Sequence, residues 1–247
     1  MAGHSKWKQI KHKKALTDSR RAATWTKIIR EITVAAKAGG GDPSGNPRLR
    51  LAMDTARAAN MPNDNIERAI KKGTGELEGV NYEEITYEAY GPGGVAIMIE
   101  SLTDNGNRTV ADIRRWLSRN GGNLGTTGSV AWMFDRRGQI AIDGDRYTED
   151  QVMEAALEAG ALDVESGDGG YTVLTEVVDF TAVQDALRDK GIEWEEAELA
   201  MVPKTEVRVE GGDAAQLVKL IDLLEELDDV QKVYTNADID EDSLASV

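Results

Sequence analysis

The sequence predicts an α+β chain of several domains, with an N-terminal three-helix module followed by two ferredoxin-like (split βαβ) α/β domains, the third inserted in the second. Three observations predict it. Residues 1–75 carry 16 Lys+Arg against 6 Asp+Glu and residues 76–247 carry 13 against 38, so a cationic head precedes an acidic body in a chain of formal net charge -15. Apolar residues of the head recur at helical spacing, whereas the body alternates short apolar runs with helical ones. Within the body, residues 139–201 spell β-α-β-β-α-β, the split-βαβ pattern. The expected domains are residues 1–76, a discontinuous middle domain of residues 77–134 plus 204–240, and an inserted domain of residues 135–203. An acidic, aperiodic tail from Asp238 is expected to fray.

The head opens on an arm holding five lysines, two histidines and a tryptophan before residue 15, with no acid. Five like charges within nine residues repel one another and gain nothing from burial, so an absent anion explains them better than solubility does. From Asp18 to Ala38, Trp25, Ile28, Ile29, Ile32, Ala35 and Ala36 form one helical face; Arg20, Lys27, Arg30 and Lys37 fall on the opposite arc. Gly39-Gly40-Gly41 ends that helix. Asn46-Pro47 reads as an N-cap and first helical position of a second helix, closed by Asn60. Pro62 opens a third, in which Asp64 and Glu67 have capping-box spacing and Lys71-Lys72-Gly73 supplies a cationic last turn and a glycine stop.

In the body, residues 85–90 and 95–103 read as strands around the turn Gly91-Pro92-Gly93-Gly94. Asn107 is expected to cap a helix to Arg119, followed by a glycine loop and a strand at residues 129–134. Next come a strand at 139–142, a helix at 148–159, strands at 162–166 and 171–176, a helix at 180–190 and a strand at 192–201. A strand at 206–210, a helix at 213–227 and a strand at 230–235 complete the chain.

Chemistry is sparse. With no cysteine and only His4 and His12, neither a thiolate metal site nor a His-rich cluster can be built, so no metal and no cofactor is expected. The glycine loops lack the order that cradles phosphates, and Asp143-Gly144-Asp145 lacks the rest of a calcium loop. Carboxylates abound, but no neighbouring His, Cys or Ser elbow singles out a general acid and base, so catalytic residues are expected to be none and the chain is read as not an enzyme. The longest apolar run is too short to span a bilayer, and no apolar stretch follows the basic start as a secretory signal requires; no membrane partner and a cytoplasmic location are expected.

The head residues that suit a polyanion are His4, Lys6, Trp7, Lys8, Lys11, His12, Lys13, Lys14, Arg20, Arg21, Lys27, Arg30, Arg48, Arg50, Arg68, Lys71 and Lys72. An exposed Trp7 among lysines also suits stacking on an unpaired base, with docking onto the helices as the equal alternative. A second contact is weighed at Asn105, Asn107 and Arg108, a polar loop at a helix start of the kind that binds phosphate. The next helix adds Arg114, Arg115 and Arg119. A capping loop with surface ion pairs to the body's own acids explains this segment equally well.

The run Ala2-Gly3-His4-Ser5-Lys6-Trp7, the segment Gly39-Gly40-Gly41-Asp42-Pro43 with Asn46-Pro47-Arg48-Leu49-Arg50, and Asn60-Met61-Pro62 through Gly75 resemble the YebC/PmpR family. Gly91-Pro92-Gly93-Gly94-Val95, Leu102-Thr103-Asp104-Asn105 with Asn107-Arg108-Thr109, and Gly121-Gly122-Asn123-Leu124-Gly125 continue the resemblance. Trp25 stands where that family leads one to expect phenylalanine, and from about residue 135 the likeness is loose. The resemblance implies a probable transcriptional regulator. A mitochondrial relative, the translational activator of cytochrome c oxidase subunit I, points instead to translation. The expected function is therefore a non-enzymatic nucleic-acid-binding regulator of gene expression, nominally DNA-binding and transcriptional, with a ribosome- or rRNA-associated translation factor as the alternative. The expected partner is DNA, or RNA within the ribosome, with no small-molecule substrate and a monomeric chain. Head and body, opposite in charge, are expected to make few contacts.

Overall fold

The computed structural model describes residues 18–167 and 169–239, with side chains from residue 23 onward. The basic arm from His4 to Lys14, the side chains of Arg20 and Arg21, and the acidic tail from residue 240 lie outside the described residues, as do the expectations that rest on them. The chain is α+β and divides into two compact units, one of residues 18–131 with 210–235 and one of residues 132–209 with 236–239.

The first unit begins with three helices, α1 (Asp18–Gly39), α2 (Pro47–Ala58) and α3 (Asn63–Thr74). The helical spacing read from the sequence is their packing face: Ile28, Ile32, Ala35, Leu49, Ala52, Ala56, Met61, Ile66 and Ala69 form one buried cluster. Trp25 packs at its margin and donates its Nε1–H to the Ala59 carbonyl at 3.1 Å. Asn46 is the expected N-cap, accepting the Leu49 amide at 3.1 Å, while its Nδ2 donates to the Ala35 carbonyl at 2.8 Å. One side chain thus starts α2 and fastens it to α1.

Two details of α3 differ from expectation. The helix starts at Asn63, so Asp64 lies inside the first turn instead of at the cap and no side-chain capping bond forms. Its stop is Gly75, left-handed at φ 83°, and not Gly73. Gly73 serves packing instead, because a Cβ there would stand 2.4 Å from the Thr33 carbonyl oxygen and 2.8 Å from Ala36 Cβ. Only a glycine lets α3 approach α1 so closely.

The rest of this unit is a four-stranded antiparallel sheet, ordered β3-β1-β2-β9, from β1 (Glu83–Tyr90), β2 (Ala96–Thr103), β3 (Asn123–Leu124) and β9 (Val230–Thr235). It carries α4 (Gly106–Arg119) and α7 (Gly211–Glu225), which bury Ile113, Leu117, Leu217, Leu220, Ile221 and Leu224. The cap of α4 is Asn105, not Asn107: its side chain accepts the Arg108 amide at 3.1 Å.

The second unit runs β4 (Phe134–Asp143), α5 (Glu149–Glu158), β5 (Asp163–Gly167), β6 (Gly170–Thr175), α6 (Phe180–Asp189) and β7 (Glu196–Pro203). Its antiparallel order β5-β6-β4-β7 is that of a split βαβ sheet. A parallel pair, β8 (Val207–Val209) with β10 (Ala237–Ile239), completes it. Asp238, expected at the start of a frayed tail, is therefore a strand residue.

Residues 129–133 do not form the expected strand; β4 begins only at Phe134. The cause is Glu88 on β1, which is buried and accepts the amides of Gly128 at 2.6 Å, Val130 at 2.7 Å and Ala131 at 2.8 Å. Amides turned onto one carboxylate cannot also serve a strand ladder.

Candidate nucleic-acid interface

The head's cations separate into two groups by what surrounds them. Arg30 points inward, with its side chain 12% exposed and Nη1 donating to Asp229 Oδ1 at 2.6 Å, the Leu102 carbonyl at 2.9 Å and the Asp228 carbonyl at 2.8 Å. Its guanidinium also lies 5.3 Å from the Tyr82 ring centroid. Arg48 is held between two carboxylates, Glu31 at 2.7 and 3.1 Å and Glu84 at 2.8 and 3.0 Å. The ammonium of Lys27 donates to the Glu225 carbonyl and that of Lys37 to Asn81 Oδ1. The polar arc of α1 therefore packs on residues of the middle sheet, against the expectation of few contacts between head and body. Opposite charge explains it: the acidic segment supplies each cation with a partner at close range.

Arg50, Arg68, Lys71 and Lys72 form the second group. Arg68, Lys71 and Lys72 are exposed, Arg50 is partly exposed, and no ion pair forms to any of them among the described residues. Arg68 stands three and four residues before Lys71 and Lys72, so the three form one stripe on α3 opposite buried Ile66 and Ala69. Asp64 and Glu67 have ion-pair spacing from Arg68 and Lys71, yet no pair closes among the described residues. Arg57 differs, bonding Asp54 at 2.9 Å.

At the second candidate contact, the loop after β2, the anion is the protein's own. Asp229, 7% exposed, accepts from Arg108 Nη2 at 2.8 and 3.0 Å and from the Thr109 hydroxyl at 2.7 Å, besides Arg30. Burial opposes its ionisation, but the donors Arg108, Thr109 and Arg30 outweigh it and hold the carboxyl below its ordinary range. Arg108 also bonds Asp104 at 2.7 Å, and these carboxylates, Asp229 first, raise its guanidinium above the usual value. Asn105 is engaged as the cap, while Asn107 is exposed. Arg114, Arg115 and Arg119 lie exposed along α4, Arg115 4.7 Å from the Trp116 ring centroid.

Sequence reasoning missed Asp229 and Glu88. Asp229 sits in a turn directly before a strand and Glu88 alternates with apolar residues on β1; acids at such positions are the available signal, but their partners are far away in sequence. Glu88 also decides the chemistry of the glycine loop. Burial would raise its carboxyl, but the amides of Gly128, Val130, Ala131 and Ser129 prevail and lower it, so the loop's donors already hold an anion.

Elsewhere, a shallow groove of about 520 Å³ in the second unit is lined by Asp143, Arg146, Arg188, Ile192, Glu193, Trp194 and Glu195. Its arginines face neighbours: Arg146 bonds Glu193 at 2.6 Å, and Arg188 bonds Asp185 at 2.8 Å and lies 5.3 Å from the Trp194 ring centroid. The lining holds no Ser, Thr, Cys, His or Lys. Among the described residues no group of three or more His, Asp or Glu is placed to hold a metal ion, and no helix is long and apolar enough to cross a membrane.

Comparison with known proteins adds the lineage. Residues 5–76 match the profile of the TACO1/YebC protein N-terminal domain, and residues 82–237 match that of the TACO1/YebC second and third domain. The chain belongs to the TACO1/YebC family. A "Probable transcriptional regulatory protein" of Chlorobium luteolum is 56% identical over 249 residues, covering 100% of this chain and 99% of that relative. A protein of the same name from Gemmatimonas aurantiaca is 59% identical over 245 residues, covering 99% of each. The crystal structure of the conserved hypothetical protein Aq1575 from Aquifex aeolicus superposes with a TM-score of 0.87 at 45% identity, over 96% of this chain and 98% of that one. The names of these relatives support a regulatory role for the family.

Proposed function

We propose that this chain is a non-enzymatic, nucleic-acid-binding regulator of gene expression, nominally of transcription through duplex DNA, with the basic head, residues 1–76, as its contact surface. The observation that carries this reading is the stripe Arg68-Lys71-Lys72: in a chain of net charge -15, three cations on one helix face stay exposed and without an ion pair among the described residues. Such a stripe neutralises phosphates, and the five lysines of the arm, on the same head, extend the positive surface. Arg30 and Arg48 take no part, since carboxylates and carbonyls already hold them.

A second reading, RNA within the ribosome, is favoured by the character of that stripe. Cations one turn apart suit a phosphate backbone, and phosphate contacts position a protein without reading sequence. Structured or single-stranded RNA is recognised by shape and stacking, which such a head suits. The experiment is co-sedimentation of the full chain with ribosomes, alongside competition between a duplex DNA and ribosomal RNA at physiological salt. Retention of the DNA against excess ribosomal RNA, without ribosome association, supports the transcriptional reading. Ribosome association with DNA released supports the second, and binding to neither overturns both.

A further inference from the structure

The second unit presents a sheet face that the proposed function does not use. Residues directly opposite one another in antiparallel strands share a face, so the register places Asp163, Leu174, Gln139 and Glu198 in one row across β5, β6, β4 and β7. Glu165, Thr172, Ala141 and Glu196 form the next row. Each row has a carboxylate on both outer strands, an uncharged centre, and no Lys, Arg or His.

The helices pack on the other face. Gly138 and Ile140, which alternate with Gln139 and Ala141, belong there: a Cβ on Gly138 would stand 2.3 Å from the Phe180 ring of α6, and Ile140 is fully buried. Gln139 therefore points away from α6, into the acid-walled face. It is 4% exposed, and its Oε1 is buried with no hydrogen-bond partner. A buried acceptor left unpaired is costly, and a donor laid across the face would satisfy it. Burial, with Asp163 and Glu206 adding to it, pushes the Glu165 carboxyl up, which a cation nearby would reverse.

We infer that this face, built around Gln139 and walled by Asp163, Glu165, Glu196 and Glu198, is the docking surface for the chain's own basic arm, residues 4–14, and that nucleic acid competes with it for the arm. The ligand it fits is an extended cationic segment with N–H donors and a few apolar side chains. The arm is that segment: it has five lysines, no acid, and Trp7 and Ile10 to lie over Leu174 and Ala141. The docked arm reverses the expectation that head and body stay apart, and it makes the acidic unit a brake on binding. Competition rests on the nucleic-acid reading above; docking itself does not.

Carbodiimide cross-linking of the full chain joins a lysine ammonium to a carboxylate only where the two touch, so mass spectrometry of the linked peptides reads the docking without nucleic acid. The expected result is links from Lys6, Lys8, Lys11, Lys13 or Lys14 to Glu165, Glu196 or Glu198, abolished in the triple variant Glu165→Gln, Glu196→Gln, Glu198→Gln. A second variant, with the five arm lysines changed to Glu, abolishes the same links without touching the sheet. Mixing isotopically labelled with unlabelled chains shows whether links form within one chain. Links between chains would overturn the inference in favour of a second copy, and arm links spread over other acids or absent altogether would overturn it outright. Competition is read with a 20-nucleotide single-stranded RNA and a 20-base-pair DNA: if the arm is docked about nine-tenths of the time, the triple Gln variant binds about tenfold tighter. Unchanged affinity with the links present would overturn the competition. Links present with neither probe bound would overturn the nucleic-acid reading and leave docking standing.

Discussion

Replacing Asp229 by Ala should loosen the join between α1 and the middle sheet more than any surface ion pair does. The carboxylate is 7% exposed and gathers donors from three elements: Arg30 of α1, and Arg108 and Thr109 at the start of α4 beside the turn before β9. Removing one partner of a buried pair typically costs about 3–5 kcal/mol because a charge is left uncompensated. Two features reduce that here. Arg108 is 46% exposed at its side chain and rehydrates, and Arg30 keeps the Leu102 and Asp228 carbonyls. A cost of about 2–3 kcal/mol remains, equivalent to roughly 30- to 150-fold in an opening equilibrium. The assay is native-state hydrogen exchange at pH 7, read at the α1 amides that flank Arg30. Asp229→Asn, which keeps the shape and an acceptor but not the charge, should lie between the variant and the parent. Because the folded carboxyl is held below its unfolded value of about 3.9, its contribution is present above that pH and is lost as pH falls through the folded value. The urea midpoints of parent and Asp229→Asn should therefore converge below about pH 4. If Asp229→Ala speeds α1 exchange no more than Arg57→Ala, which breaks an exposed pair on α2, the reasoning fails.

Glu88→Gln should free the loop at residues 128–131 and flatten the acid limb of stability, since the depressed Glu88 carboxyl stabilises above its unfolded pKa and not below it; equal acid sensitivity of parent and variant in urea titrations would contradict this. Gly73→Ala should destabilise the head by about 1–3 kcal/mol through overpacking against Thr33 and Ala36, seen as a lowered urea midpoint, and Gly75→Ala should cost less because nothing stands within 4 Å of it. Changing Arg68, Lys71 and Lys72 together to Glu should leave the far-UV spectrum intact and cut the salt slope of nucleic-acid binding by about 2–3; a normal slope removes the stripe from the contact surface.

The helical head was legible in the sequence because its signals are local. Leu49, Ala52 and Ala56 recur at 3.6-residue spacing, and Asn46-Pro47 announces a helix start; both hold as read. The split-βαβ unit was legible for the same reason, as its turns and alternations follow one another along the chain. What failed was decided across long separations. Gly73 reads as a stop until Thr33, 40 positions earlier, is seen against it. Residues 129–133 look like a strand until the carboxylate of Glu88 gathers their amides. Arg30 looks like an exposed cation until Asp229, 199 residues on, closes over it. At the candidate interface, sequence supplied the cations but not the sorting, because a lysine or arginine shows its charge locally and its partner only in the fold. Arg68, Lys71 and Lys72 keep the role read for them as a proposal, whereas Arg30, Arg48 and Arg108 turn out to be ties within the first unit.

The central claim, that the basic head holds nucleic acid through phosphates, is tested most directly by the affinity of the full chain for a fixed 20-base-pair duplex and a 20-nucleotide RNA between about 50 and 200 mM salt. The account predicts a linear fall of log affinity with log salt for at least one of them. Reversing Lys6, Lys8, Lys11, Lys13 and Lys14 to Glu should then flatten the slope by about 0.7 to 0.9 for each phosphate that the arm no longer neutralises. A slope unchanged by that reversal and by the α3 reversal, or affinity indifferent to salt, would contradict it.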